Sequence, residues 1–475
     1  RRAVRLLEQA RLFYGRSQGL ALGDLSAGNP FASTALGTNP FRAQQARAAA
    51  PASINPFALS GGDTRLPGAA DPTGFPQPYE QDEPAIAVDP VLARIDSDIR
   101  TLRNEAGPRV EVNAGFRDRS GEDGLSALSE LNGTARLSTD LGRGRIGVEA
   151  ELVALDSGVP SPSGQARFGR NATAEAQAIV DELPTPLALA PTQHAAGVAP
   201  SLFYASDLLD ARIGTTPLGF EYQEVTGRLE LKPRLGTSTS ARAWVERQAV
   251  DDTVLSYAGT RDPVTGAFWG QVMQTGGGVS LSWDRNGNGV YGDLAYHQYR
   301  GRAVANNDSL QGNVGGYLLL HQGANDRIVA GANLNYQAYD NNQNNFTFGH
   351  GGYFSPQTFL AVSFPLRYIH TSDRLEVELQ AAPGYQSFDQ DQTAIYPTDG
   401  AAQAQLDALK RINTDVRSYY DALSQTGFAF SGRGRATYQV SPRTRIVGDL
   451  GYDTFGIFNE FTSTIGIRQQ LGGGD

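Results

Sequence analysis

From Pro108 to Leu471 apolar and polar side chains alternate with a period of two, the period of a strand and not the 3.6 of a helix. The end of the chain shows it most clearly. Thr444, Ile446, Gly448, Leu450 and Tyr452 share one face, and Arg443, Arg445, Val447, Asp449 and Asp453 share the other. The next segment sets Phe461, Ser463, Ile465, Ile467 and Leu471 against Thr462, Thr464, Gly466, Arg468 and Gln470. A strand with an apolar outside and a polar inside is the unit of a transmembrane β-barrel.

The same alternation predicts strands over 108–119, 125–138, 145–155, 196–205, 208–215, 226–234, 240–249 and 276–283, then 290–299, 312–321, 327–339, 358–370, 374–388, 426–440, 444–454 and 460–471. Reading 196–215 as one strand would leave an odd total. A turn at Ser206-Asp207 gives sixteen, the even number single-chain bacterial barrels require. Connections at 139–144, 206–207, 235–239, 284–289, 322–326, 371–373 and 441–443 are short, and those at 156–195, 250–275, 340–357 and 389–425 are long. Short turns belong at the periplasmic rim and long loops outside the cell, so both ends of the barrel segment point to the periplasm. The longest loops, 156–195 and 389–425, are the expected lids.

The expected fold is therefore all-β: a sixteen-stranded antiparallel outer-membrane barrel over 107–475, preceded by a short helical remnant and a linker. In residues 1–20, Val4, Leu7, Ala10, Leu12 and Phe13 fall at helical spacing, as at the end of an upstream helical domain. Residues 21–88 are rich in Gly, Pro and Ala, repeat Asn-Pro-Phe at Asn29, Asn39 and Asn55, and read as a linker. Residues 89–106, with Pro90 near the start and Gly107-Pro108 as a stop, predict a short amphipathic helix on Val91, Leu92, Ile95, Ile99 and Leu102.

Composition narrows the function classes. No run of eighteen apolar residues exists to make a membrane helix, and the mean hydropathy of −0.35 is what an alternating barrel gives. Zero cysteines remove disulfides, Cys-ligated zinc and thiol catalysis. A net charge of −10, with basic residues interleaved among acids, argues against a nucleic-acid partner.

Motifs for a reaction are weak. Gly15-Arg-Ser-Gln-Gly19 fits a nucleophile elbow but lies between a helix and a linker, where that chemistry needs strand then helix. Asp284-Arg-Asn-Gly-Asn-Gly289 opens like a calcium loop, yet its twelfth position is Ala295, and a tight turn explains the same residues. The five histidines, His194, His297, His321, His350 and His370, lack metal-ligand spacing. Glu376 and Glu378 lie on one strand face about 7 Å apart, a spacing a glycosidase could use but a polar wall explains better. No catalytic residue, cofactor or metal is expected.

Parity gives the candidate substrate path. Facing inward are Arg109, Glu111, Asn113 and Arg117; Glu130, Asn132 and Arg136; Glu149 and Glu151; and Arg228, Glu230, Lys232 and Arg234. Further round come Arg242, Trp244 and Glu246; Asp293 and His297; Asn333, Asn335 and Gln337; Glu376, Glu378 and Gln380; Arg433 and Arg435; and Arg445, Asp449 and Asp453. Sixteen strands leave an aqueous channel. A lining of both signs and amides suits a neutral, hydroxyl-rich solute better than an ion. Trp244 is the inward aromatic expected to stack on a sugar face.

Several longer runs add a family likeness: Ala106-Gly-Pro-Arg-Val-Glu111, Phe116-Arg-Asp-Arg-Ser-Gly-Glu-Asp-Gly-Leu-Ser126, Ile213-Gly-Thr-Thr-Pro-Leu-Gly-Phe220, Leu255-Ser-Tyr-Ala-Gly259 with Trp269-Gly270, and Gly352-Tyr-Phe-Ser-Pro-Gln357. On these the chain resembles the C-terminal region of the bacterial cellulose synthase outer-membrane subunits. The resemblance implies a sixteen-stranded outer-membrane barrel joined to periplasmic tetratricopeptide repeats, exporting cellulose, a β-1,4-glucan, made and pushed by an inner-membrane synthase complex. It implies no catalysis and no cofactor, with the glucan and outer-membrane lipid as the barrel's direct partners. An exporter of another polysaccharide such as poly-N-acetylglucosamine, a general porin and an outer-membrane barrel enzyme are the alternatives the residues leave open.

Overall fold

The computed structural model describes residues 107–471 apart from 185 and 237. The helical remnant, the linker, the amphipathic helix over 89–106 and the elbow-like run at Gly15 lie outside the described residues.

The described chain forms a closed antiparallel barrel of sixteen wall strands. They are β1 Arg109–Arg119, β2 Leu128–Leu141, β3 Gly144–Gly158, β4 Gln193–Ser206, β5 Leu209–Thr215, β6 Val225–Leu231, β7 Thr239–Ala249 and β8 Phe268–Arg285. The second half comprises β9 Asn288–Arg302, β10 Asn307–Gln322, β11 Asp326–Tyr339, β12 as Thr358–Ser363 and Leu366–Thr371, β13 Leu375–Gln390, β14 Leu423–Ser441, β15 Thr444–Asp453 and β16 Glu460–Gln470. Within β12, Phe364-Pro365 breaks the ladder because proline has no N–H to give it; the Pro365 carbonyl still accepts from Gly331 N at 2.8 Å.

Closure comes from β1 and β16, which pair in register from Arg109 opposite Gln470 to Arg119 opposite Glu460. No edge is then left exposed in the bilayer, where an unpaired backbone group costs several kcal/mol, about 4–8 by transfer to hydrocarbon. The predicted split at Ser206-Asp207 is a real turn, with Ser206 Oγ accepting from Leu209 N at 3.0 Å. At the β8–β9 hairpin Asn286 and Gly287 both have positive φ, 55° and 79°, as a tight two-residue turn demands. Asp284, first in the calcium-like run, instead accepts a hydrogen bond from the Tyr317 hydroxyl at 2.7 Å.

The parity of the sequence is the parity of the wall. Val112, Leu131, Val148, Leu152, Leu294, Leu310, Leu379, Leu450 and Ile465 are exposed on the outside, while the alternate polar residues are buried or half-buried within. One inward assignment needs correction: β6 ends at Leu231, so Arg234 lies exposed in the turn beyond it and forms only an isolated bridge to Ser240.

Five connections at the rim opposite the short turns, 159–192, 250–267, 303–306, 340–357 and 391–422, pack on one another as a cap. Four helices stiffen it: α1 Pro162–Ala166, α2 Asn171–Asp181, α3 Val254–Tyr257 and α4 Gly400–Ile412. Ser161 caps α1, Thr253 and Ser256 form a capping box on α3, and Asp399 caps α4. The cap core gathers Phe168, Leu255, Trp269, Phe348, Tyr353, Tyr396 and Leu406. Gly270 has φ 99°, and a Cβ there would fall 2.4 Å from the Leu255 carbonyl oxygen, so only glycine lets α3 lie against the start of β8.

Candidate functional site

The lumen residues are built by alternation and grouped around the wall. Three ionic clusters line the wall and a fourth fixes the cap. In the first, Glu111 pairs with Arg468, whose Nε lies 2.8 Å away, and with Arg109, whose Nε lies 3.0 Å away, and it is 3.8 Å from Arg136. Arg136 and Arg212 both bind Glu149, with Arg136 Nε donating at 2.8 Å. Asn113 stands between, donating to Thr134 Oγ1 at 3.1 Å, and Glu151 is half-buried two residues along β3.

The second cluster spans β6 to β9. Arg228 binds Glu246 and also Glu230 at 2.7 Å, Arg242 lies 3.8 Å from Glu230 and 3.6 Å from Asp293, and fully buried His297 meets Glu246 at 3.0 Å. Trp244 belongs to this cluster. Its ring packs on Ala295 and is only 5% exposed, with the guanidinium carbons of Arg228 and Arg242 at 5.5 and 5.9 Å from the ring centroid. The indole is therefore covered and offers no open face for stacking on a sugar, unlike the face expected from its inward position.

The third cluster runs from β12 to β15. Arg367 donates to Glu378 at 2.6 Å, Arg433 and Arg435 stand 4.0 and 3.8 Å from Asp449, and Glu376 and Arg445 are half-buried nearby on the same inner face. Asp453, at the extracellular end of β15, accepts from Phe455 N at 2.7 Å and so shapes the last loop.

Arg117 sits apart from the rest. It is fully buried, donating to Glu130 at 2.8 Å, Glu460 at 3.1 Å and the Asp251 carbonyl at 2.9 Å. Asp251 belongs to the β7–β8 loop, so this guanidinium on β1 holds a segment that has crossed from β7. Arg119 repeats the contact on the Asp252 carbonyl at 2.6 Å and lies over Phe458, while Asp252 accepts from Phe354 N at 3.1 Å. The α3 turn that follows packs on Leu128, Val153, Leu155 and Phe220 inside the wall.

The two longest loops, expected as lids, both pack into the cap. Arg170 joins them to the β7–β8 loop, reaching Asp262 at 3.3 Å and Asp399 at 2.8 Å, and Asn413 after α4 donates to the Ile179 carbonyl in α2 at 3.3 Å. His350 lies inside, its Nε2 donating to the Ala394 carbonyl at 2.9 Å, and burial pushes its pKa down to about 4. Alternation marked the wall residues; it gave no sign of Asp251, Asp252 or Arg170, which act from irregular loops. Among the described residues no group of three His, Asp or Glu is placed to hold a metal.

The chain matches the family model described as "Cellulose synthase operon protein C C-terminus" over residues 126–472. This chain belongs to that family. It is 30% identical over 413 residues to cellulose synthase operon protein C of Komagataeibacter xylinus, covering 85% of this chain and 32% of the relative. Against the Xanthomonas axonopodis pv. citri (strain 306) protein of the same name, identity is 34% over 289 residues, covering 58% of this chain and 19% of that one. The chain thus spans a third or less of the length of these relatives. Among solved structures, one titled "Bacterial polysaccharide outer membrane secretin" superposes at a TM-score of 0.46 with 9% identity, over 77% of this chain and 98% of that one. The family membership and the closed wall with its apolar outer face place the chain in the bacterial outer membrane.

Proposed function

We propose that this barrel is the channel by which a β-1,4-glucan leaves the periplasm for the cell exterior. The observation that carries the reading is the wall itself: a closed cylinder whose inner face presents cations, anions and amides, in a chain of the cellulose synthase operon protein C family. Ion pairs such as Arg136–Glu149 and Arg367–Glu378 leave little net field along the path, so a neutral polymer is not trapped by one strong site. Many exchangeable hydrogen bonds hold it briefly instead.

The barrel does no bond chemistry in this reading. The two carboxylates on β13 that share a face are part of the wall, Glu378 being bound by Arg367. The work of movement comes from the synthase in the inner membrane, linked through the periplasmic repeats that the family likeness implies upstream. Glu111, Asn113, Arg117, Glu149, Glu151, Arg242, Glu246, Asp293, His297, Glu376, Glu378, Arg433, Arg435, Arg445, Asp449 and Asp453 line or brace the path, with Trp244 fixing the two arginines beside it.

Deleting the gene segment for residues 107–471 in a glucan-producing host tests this. The polymer should still be made and should collect in the periplasm, recoverable by cellulase after the outer membrane is opened. Unchanged glucan outside the cell, or trapping of an acetylated polysaccharide instead, would overturn the assignment.

A further inference from the structure

The inner face of β10 and β11 carries amides where the neighbouring strands carry charge. Register sets Gln311 opposite Gln337 and Asn313 opposite Asn335, and all four are buried, none more than 4% exposed. Their hydrogen bonds are incomplete. Gln311 Nε2 donates to Ser309 Oγ at 3.3 Å and to the Tyr299 and Tyr339 hydroxyls, each at 3.4 Å, and Asn313 Nδ2 to Asp293 at 3.1 Å. The side-chain oxygens of Gln311, Asn313 and Asn335, and both amide atoms of Gln337, find no partner in the protein. Unpartnered polar atoms occur elsewhere in the lumen as well, but on this strip they belong to uncharged amides.

At its extracellular end the strip meets Tyr299 and Tyr339, whose rings lie 5.4 Å apart. Tyr353, from the 340–357 loop of the cap, stacks on Tyr299 with centroids 5.4 Å apart and planes inclined by 17°, and its hydroxyl accepts from Asn307 Nδ2 at 3.1 Å. A flat ring with a hydrogen-bonded hydroxyl thus lies on an aromatic platform at the head of a neutral amide track. A pyranose asks for the same set: a face for its axial C–H groups, and donors and acceptors without charge for its equatorial hydroxyls.

We propose that Gln311, Gln337, Asn313 and Asn335, with Tyr299 and Tyr339, form a glucosyl-binding subsite in the exit half of the lumen, and that Tyr353 fills its outermost ring position while the cap is closed. The inference rests on the channel reading above. An arriving glucan takes the place of Tyr353, exchanging one stack for another, and the polymer itself releases that corner of the cap. The amides gain hydroxyl partners in the same step.

Cellohexaose binding to the purified full-length protein in nanodiscs, followed by calorimetry with maltohexaose as the control, tests the site. The Gln311→Leu/Gln337→Leu double variant should weaken cellohexaose binding about tenfold or more, as the loss of one or two hydrogen bonds does. Tyr353→Ala should strengthen it several-fold, because the competing ring is gone. Unchanged affinity in either variant overturns the proposal, as does equal affinity for maltohexaose. Should the double variant fail to insert, Tyr353→Ala alone decides, since its effect has the opposite sign to damage. If the wild-type protein binds no cellohexaose while its gene is still needed for glucan to reach the exterior, the subsite falls and the channel stands.

Discussion

Arg117 shows how one side chain can belong to the wall by pattern and to the cap by contact. Its place on the inner face follows from the alternation of β1, but its hold on the Asp251 carbonyl depends on a loop that no periodicity describes. Arg117→Ala leaves Glu130 and Glu460 without the guanidinium between them and should destabilise the barrel mouth by about 3–5 kcal/mol, the usual effect of removing one member of a buried ionic group. A lower melting temperature and spontaneous ion-conducting openings in planar bilayers would report it. His350 gives the pH counterpart. Burial holds its pKa at about 4, below the 6.5 of an open, solvated imidazole, so the closed cap binds fewer protons than the open one. For an opening that exposes His350 to water, closure should be favoured most above pH 6.5 and should weaken by up to about 3 kcal/mol as the outside pH falls from 6.5 through 4. Open-channel frequency should rise on acidification, and His350→Gln should flatten the response.

At the level of elements, strands were legible and the cap was not. A strand repeats its environment every two residues, so Glu111, Asn113 and Arg117 announce a lumen face by themselves. Cap residues such as Phe168, Trp269 and Phe348 touch across loops distant in sequence, and their packing at 5.3 and 5.6 Å is set by tertiary contact alone. Of the runs that carried the family likeness, Leu255 to Gly259, Trp269-Gly270 and Gly352 to Gln357 turn out to be cap pieces, while Gly107 to Glu111, Phe116 to Ser126 and Ile213 to Phe220 lie along or beside wall strands. Trp244 was legible as inward and illegible as covered, because its cover comes from arginines on its own and the adjacent strand. If α2 and α4 must part for polymer to leave, joining them should stop it. The chain has no cysteine, so Ile179→Cys with Asn413→Cys gives a clean pair for a short bis-maleimide bridge. Bridged protein should lose extracellular glucan while either single variant treated alike keeps it.

The whole molecule joins a rigid wall to a cap of loops. Sixteen strands, closed by β1 on β16, hold their geometry through backbone bonds that the bilayer makes obligatory, whereas the cap depends on a few buried ion pairs and an aromatic core. Ionic clusters occupy the three sectors of the wall, and the amide strip on β10 and β11 lies between two of them, so the lumen is not uniform around its circumference. The central claim, that glucan travels inside this wall, is tested most directly by placing a photo-crosslinking residue at Asn113 or Glu376 on the lumen face, and at Val112 or Leu379 on the lipid face, during active synthesis. Cellulase-sensitive adducts should form from the two lumen positions and not from their outward neighbours. Equal labelling of both faces, or no adduct from the lumen while glucan still accumulates outside, would contradict it.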